Sequence, residues 1–170
     1  MTQDINKKKD VLYNNILLLS RNTTFYTNFG LIDTFQNRIH LIFIHISFIF
    51  IKIKHNNKNE MYKSFYQKIF DLIFHRIELN MREIGYGDTT INKNMRELVK
   101  TFYGILFECE NYKKMNLNDK IKFFTKYLVL NSSKNNPDNT GLIKYFNKYE
   151  AFCFDLSSDS VLKGELKFNY

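Results

Sequence analysis

Apolar residues recur at every third or fourth position along most of this chain, which is the spacing of amphipathic helices. Residues 91–106 carry the most regular stripe. After Gly164 the pattern changes to alternation, which predicts a short extended segment over residues 164–168. The predicted helices cover residues 11–20, 25–29, 39–53, 60–81, 91–106, 116–128 and a stretch that begins at Asn136-Pro137.

The stretch 39–53 is the most apolar part of the chain. It is shorter than the roughly 20 apolar residues that a membrane span needs, and it contains His40, His45 and Ser47. A helix that is apolar on nearly all sides must be covered, so we interpret the stretch as the buried central helix of a bundle. Two alternatives stay open, namely a helix that contacts a membrane and a strand favoured by the β-branched residues.

Turn-forming residues are rare, with one Pro and six Gly in 170 residues. All-β domains need more turns than this, so we predict an all-α, single-domain helical bundle with a largely buried central helix and an extended C-terminal tail. We expect a flexible N-terminus (1–10), a helical domain (11–156) and a tail packed on the domain (157–170), with a loop at Ser157-Ser158-Asp159-Ser160. The predicted core contains Ile42, Ile46, Phe50, Phe65, Ile69, Leu98, Phe102 and Phe146.

The formal net charge of +8 draws the protein towards anionic surfaces such as ribosomes, nucleic acids or phospholipid headgroups. The Lys-rich and Asn-rich composition is also typical of an AT-rich genome, so a basic surface without a partner is the alternative.

The N-terminus does not have the pattern of a signal peptide, because Asn14-Asn15 interrupts the apolar stretch and no small-residue cleavage site follows. These features favour a cytoplasmic protein.

Candidate catalytic and metal-binding residues are sparse. His40 and His45 lie about 140° apart around a helix, so they cannot share a ligand sphere on that helix alone. Cys109 and Cys153 fall within apolar helical patterns, which predicts buried, reduced thiols and neither a disulfide nor a zinc site. No motif for nucleophilic catalysis or paired carboxylates is present. We therefore predict no catalytic residue, metal, cofactor or small-molecule substrate.

The sequence Gly85-Tyr86-Gly87-Asp88 is the one glycine-rich spot. It follows a predicted helix and not a strand, and Asp88 would repel phosphate, which argues against a phosphate-binding loop. The sequence instead predicts a tight corner in which the two glycines reverse the chain. Gly85 ends one helix, and Asp88 or Thr89 caps the next. The mixed charges around this corner also permit a polar docking surface for a partner.

Residues in and around the corner match a known pattern. Met81-Arg82-Glu83-Ile84-Gly85-Tyr86-Gly87-Asp88 is followed by Lys93, Met95-Arg96 and Phe102-Tyr103-Gly104, and is preceded by Phe25-Tyr26, Asp33, Arg38 and His45. This arrangement resembles the ubiquinol–cytochrome c chaperone family, whose corner is close to Leu-Arg-Glu-Met-Gly-Val-Gly-Asp. The likeness extends over about residues 20–110.

The resemblance implies a non-enzymatic assembly chaperone that binds newly made cytochrome b and promotes assembly of the respiratory bc1 complex. It implies cytochrome b or bc1 subunits as partners, with a small partner chaperone and a ribosome nearby. Together with the charge, it suggests an alphaproteobacterial type that works in the cytoplasm, peripheral to the inner face of the cytoplasmic membrane and in contact with anionic lipid. The expected partner-binding residues are Arg82, Glu83, Gly85, Gly87, Asp88, Lys93, Arg96 and Tyr103.

Two other classes of protein have less support. A basic helical module that binds nucleic acid or the ribosome would use the same charge and stack exposed aromatic rings on bases. Such a module would show a continuous Lys/Arg stripe, whereas the lysines here are scattered. A helical enzyme would need converging titratable groups, and the sequence offers no such set.

Overall fold

The computed structural model describes residues 2–55, 60–131 and 139–170, and the chain in these ranges is helical apart from short connections. A 3-10 turn at Tyr112–Lys114 connects two of the helices. The α-helices are α1 (Thr2–Ser20), α2 (Thr24–Thr27), α3 (Phe35–His55), α4 (Glu60–Ile84), α5 (Asp88–Glu110), α6 (Leu117–Tyr127), α7 (Thr140–Asp155) and α8 (Ser158–Lys163).

Helix α3 lies at the centre of the bundle and packs against α1, α4, α5, α7 and α8. Residues 39–51 are all buried, which confirms the predicted central helix and excludes the strand alternative. The buried hydroxyl of Ser47 on this helix is satisfied within the fold, because it donates to the Phe43 carbonyl at 2.7 Å. In the described part of the chain, no helix combines the length and apolarity that a bilayer span requires.

Helices α4 and α5 form an antiparallel pair that covers one side of α3. The Phe43 ring lies with its centroid 5.5 Å from that of Phe74 on α4 and 5.3 Å from that of Phe102 on α5, so aromatic packing joins the three helices. The predicted core residues are buried except Leu98, which is half-buried. Leu98 is more exposed because it lines a surface groove described below.

The start of α3 is fixed to the segment after α6 by a buried side chain. The Asn37 amide donates to the carbonyls of Ile32 (2.7 Å) and Val129 (2.9 Å) and accepts from the Val129 N–H (2.9 Å). Beside it, Leu31 and Leu130 form an isolated antiparallel bridge. These contacts hold two extended segments together across the bundle.

Helix α7 and the C-terminal tail close the other side. Leu142, Phe146, Tyr149 and Cys153 are buried on the inner face of α7, which confirms the predicted burial of Phe146 and Cys153. The tail lies on this helix, with the Phe168 ring centroid 5.1 Å from that of Tyr149. The predicted loop at residues 157–160 is wrong. Helix α8 begins there instead, because the Ser157 side chain caps it by accepting from the Ser160 N–H.

Several helix starts differ from the predictions. Helix α1 begins at Thr2 and not near Val11. Helix α2 is capped by Asn22, whose side-chain oxygen accepts from the Thr24 N–H at 3.0 Å. Asn116 caps α6, so the helix begins where the sequence predicts it. The predicted start at residues 136–137 lies outside the described residues, and the proposed division at residues 10 and 156 stays a prediction.

Candidate partner-binding site

The corner between α4 and α5 is a Schellman motif. The Gly85 N–H donates to the Arg82 carbonyl at 3.0 Å, and the Tyr86 N–H donates to the Met81 carbonyl at 3.1 Å. Gly85 has φ +99°, a conformation that only glycine adopts without strain. Gly85 therefore stops α4 in the way that the sequence predicts.

Gly87 plays a different part from the one predicted. Its backbone is extended (φ −74°, ψ 155°), and a Cβ placed there meets no atom within 4 Å. The turn therefore requires one glycine and not two. Asp88 does not cap α5 either, because it is the first helical residue and Gly87 occupies the cap position without a side-chain hydrogen bond. The Asp88 carboxylate remains favourably placed near the positive end of the helix dipole.

Arg82 ties the end of α4 to the start of α5. Its guanidinium donates to Glu78 at 2.8 Å and to Asp88 at 2.6 Å. These hydrogen bonds, first to Glu78 and then to Asp88, raise the pKa of Arg82 above its ordinary value. All three side chains are exposed or nearly so, so the network orients the arginine more than it stabilises the fold.

The other predicted partner-binding residues do not converge on one pocket. Glu83 lines a groove of about 230 Å³ between α1, α3 and α4. Lys93 and Arg96 lie on the outer face of α5, beside Lys100. Tyr103 lies further along this face, half exposed, with its ring centroid 6.0 Å from that of Phe70. The predicted set thus spreads along the outer surface of the α4–α5 pair, and its role in binding stays a prediction.

Two larger grooves flank this surface. The first has a volume of about 500 Å³, lies between α3, α4 and α5, and has the Lys54–Glu110 ion pair (2.6 Å) at its edge. The second, which we call the corner groove, has a volume of about 410 Å³ and begins at the α4–α5 corner. The corner groove is lined partly by apolar or aromatic residues and partly by polar residues. The first set is Phe35, Ile39, Met81, Tyr86 and Leu98, and the second is Thr34, Gln36, His40, Asn94, Glu97 and Thr101.

His40 and His45 on α3 are each held by a hydrogen bond to a carbonyl group. His40 Nδ1 lies 2.5 Å from the Tyr127 carbonyl oxygen, and His45 Nδ1 lies 2.7 Å from that of Leu41. His45 Nε2 is also occupied, because it accepts from the Tyr145 hydroxyl at 2.8 Å. Burial lowers the pKa of His40 and lowers that of His45 to about 4, so both rings are neutral at physiological pH.

The remaining reactive groups are separated from one another. Among the described residues, no three His, Cys, Asp or Glu side chains are placed to hold a metal ion. Cys109 and Cys153 are buried, and burial raises the pKa of both thiols, which keeps them protonated. A protonated, buried thiol is a poor nucleophile and a poor metal ligand.

The structure adds two residues that our sequence reasoning missed. Phe107 is 69% exposed on the outer face of α5, one helical turn beyond Tyr103. The spacing of four from Tyr103 could have indicated it. The sequence indicates His40 only as a candidate metal ligand, whereas its place in the corner groove depends on Tyr127, a residue 87 positions away. No local pattern could have indicated that contact.

The molecule is an all-α bundle with an exposed helix–turn–helix corner flanked by partly apolar grooves, which is a surface typical of proteins that bind other proteins. The profile of the ubiquinol-cytochrome C chaperone family matches residues 27–168, so the chain belongs to this family. The fold is similar to the crystal structure of the Cbp3 homolog from Brucella abortus, with a TM-score of 0.83 and 19% sequence identity. That match covers 99% of this chain and 92% of the Brucella chain. No curated protein sequence matches the chain.

Proposed function

We propose that this protein is a non-enzymatic assembly chaperone that binds newly made cytochrome b and promotes assembly of the respiratory bc1 complex. The observation that carries the proposal is the family match, which extends over residues 27–168 and includes the corner. A chaperone of this kind needs no catalytic group. It needs a stable scaffold and a surface that covers apolar segments of a client until they find their final partners.

The outer surface of the α4–α5 pair meets these needs. Exposed aromatic side chains, Tyr103 and Phe107, lie on the same helix as the exposed cations Lys93 and Arg96. An apolar surface with a charged rim favours capture of an apolar client and still allows its release. We place the client contact at this surface and at the adjoining corner, with Arg82, Glu83, Gly85, Gly87 and Asp88 as corner residues.

The proposal includes where the protein works. A net charge of +8 is suited to a peripheral position at the inner face of the cytoplasmic membrane, where anionic lipid and ribosomal RNA attract a basic protein. The partners in this scheme are cytochrome b or other bc1 subunits, with a small partner chaperone as a further candidate. A basic helical module that binds nucleic acid or the ribosome is the alternative function.

A deletion strain tests the proposed function. The strain should contain less cytochrome b and lower bc1 activity than its parent, and a plasmid copy of the gene should restore both. Normal cytochrome b and normal bc1 activity in a strain without a second copy of the gene would contradict the proposal.

Charge reversal tests the proposed surface. Arg96→Glu should fold normally, because the bond seen for the Arg96 side chain within the described residues is to the Asn92 carbonyl of its own helix, at 3.2 Å. It should recover several-fold less cytochrome b in pull-downs from the complemented strain. Lys144→Glu is the matched control, since Lys144 is exposed on α7 and the change in charge is the same. Equal recovery by the two variants would exclude this surface.

A further inference from the structure

The corner groove contains a hydrogen-bond acceptor without a partner. His40 Nδ1 lies 2.5 Å from the Tyr127 carbonyl oxygen, which can only accept a hydrogen bond. Nδ1 must therefore carry the proton. Because burial also keeps the ring neutral, Nε2 is left as a bare acceptor.

This acceptor faces the groove. His40 is 4% exposed and lines the corner groove, and none of the described residues donates to Nε2. The fully enclosed side-chain atoms without a partner in the same ranges are the Tyr112 hydroxyl and Asn139 Oδ1. His40 Nε2 is not one of them, so it stays accessible through the groove. An almost buried acceptor with access to a groove favours a ligand that brings a donor.

One part of the groove around His40 is apolar and can contact an apolar ring. Phe35, Ile39 and Leu98 give it an apolar lining, and the Met81 thioether suits the edge of an aromatic ring. The polar rim includes Glu97, whose carboxylate is engaged by Lys100 at 2.9 Å. A ligand that fits has an extended apolar ring and one hydrogen-bond donor.

We propose that the corner groove binds the indole ring of a tryptophan of the partner protein, whose N–H donates to His40 Nε2. The indole is the one side chain that joins a large apolar surface to a donor without an acceptor. This inference rests on the proposed function, since a membrane-protein client carries tryptophan at the ends of its transmembrane helices. A groove that binds such a ring would hold the client at the end of one of its transmembrane helices.

The absence of tryptophan from this chain makes the test simple, because all tryptophan fluorescence then comes from the probe. The full-length protein is titrated with a short, neutral, water-soluble peptide that has one tryptophan between leucines. The matched peptide carries 1-methyltryptophan, which keeps the ring and removes the N–H donor. Fluorescence anisotropy should show saturable binding of the first peptide and about tenfold weaker binding of the second.

Variants then assign the difference to His40. His40→Asn can keep a donor to the Tyr127 carbonyl while it removes Nε2, so it should bind the two peptides equally. His75→Asn makes the same chemical change at an exposed site on α4 and should keep the tenfold preference. Equal binding of both peptides to the wild-type protein, or no binding of either, would overturn the inference.

The peptide titration can be interpreted even if the His40→Asn variant or the proposed function fails. If His40→Asn does not fold, as judged by circular dichroism, the comparison of the two peptides on the wild-type protein still decides. The peptide titration is also independent of the deletion strain. A normal bc1 complex in that strain would remove the proposed function, whereas a failure of the titration would remove only the tryptophan groove.

Discussion

At the residue scale, the two corner glycines differ in what their backbone requires. Gly85→Ala places a Cβ on a residue with φ +99° and should lower the free energy of unfolding by about 1 kcal/mol. Gly87→Ser adds a side chain in open space at a cap position and should change the free energy of unfolding by only a few tenths of a kcal/mol. Urea denaturation followed by circular dichroism measures both.

The Gly87→Ser variant also shows whether Gly87 is needed for folding or for binding of the client. If Gly87→Ser folds as well as the wild type but captures less client, the glycine leaves room for the partner. A loss of stability as large as that of Gly85→Ala would instead show that the extended backbone assigned to Gly87 is incorrect.

At the scale of a single element, α3 determines whether the bundle holds together. Ile46 is fully buried on this helix, so Ile46→Asp buries a charge or forces the carboxyl to stay protonated. The cost is several kcal/mol, which approaches the whole stability of a domain, about 5–15 kcal/mol. We expect this variant to be unfolded in chemical melts.

Gln36→Asp is the control for this prediction, because Gln36 is exposed near the start of the same helix. It should melt like the wild-type protein. If Ile46→Asp stays folded and only loses flotation with membrane vesicles, α3 contacts lipid and the central packing described above is wrong.

At the scale of the whole molecule, the stability should fall in acid because of a buried ring. Burial lowers the pKa of His45 to about 4, whereas an unfolded histidine takes up its proton near pH 6.5. Between these values the unfolded chain binds more protons, so the free energy of unfolding should decrease as the pH drops from about 6.5 to about 4. The full decrease is about 3 kcal/mol, and urea midpoints measured across this range report it.

The surroundings of His45 make it the main source of this pH dependence. Among the described residues, the aromatic side chains in contact with its ring are the uncharged Phe25, Tyr145, Phe146 and Tyr149, so no carboxylate of this set compensates the protonated form. His45→Asn can keep the donor to the Leu41 carbonyl and should flatten the curve, although His40 leaves a smaller slope of the same sign. An unchanged slope in this variant would assign the effect to other groups.

Much of the fold was predictable because it depends on local sequence. The periodic apolar stripes, Asn116 at the start of α6 and Gly85 at the end of α4 each act within a few residues of their own position. The errors are also local. Residues 157–160 were interpreted as a loop because serine-rich stretches favour loops, yet the same Ser157 side chain also caps a helix. Short polar sequences do not distinguish these two outcomes.

The sequence by itself determined the class of the protein: an all-α bundle with a central apolar helix, a glycine-terminated corner and a family pattern around it. Only the tertiary structure decided where the predicted residues lie on the surface and where a groove forms. It spread the predicted partner-binding residues along the α4–α5 pair, opened a groove beside the corner, and turned His40 towards that groove through the Tyr127 carbonyl. Helix formation follows from neighbours in the chain, whereas a groove and the tautomer of a buried ring depend on contacts between distant residues, which a local pattern does not encode.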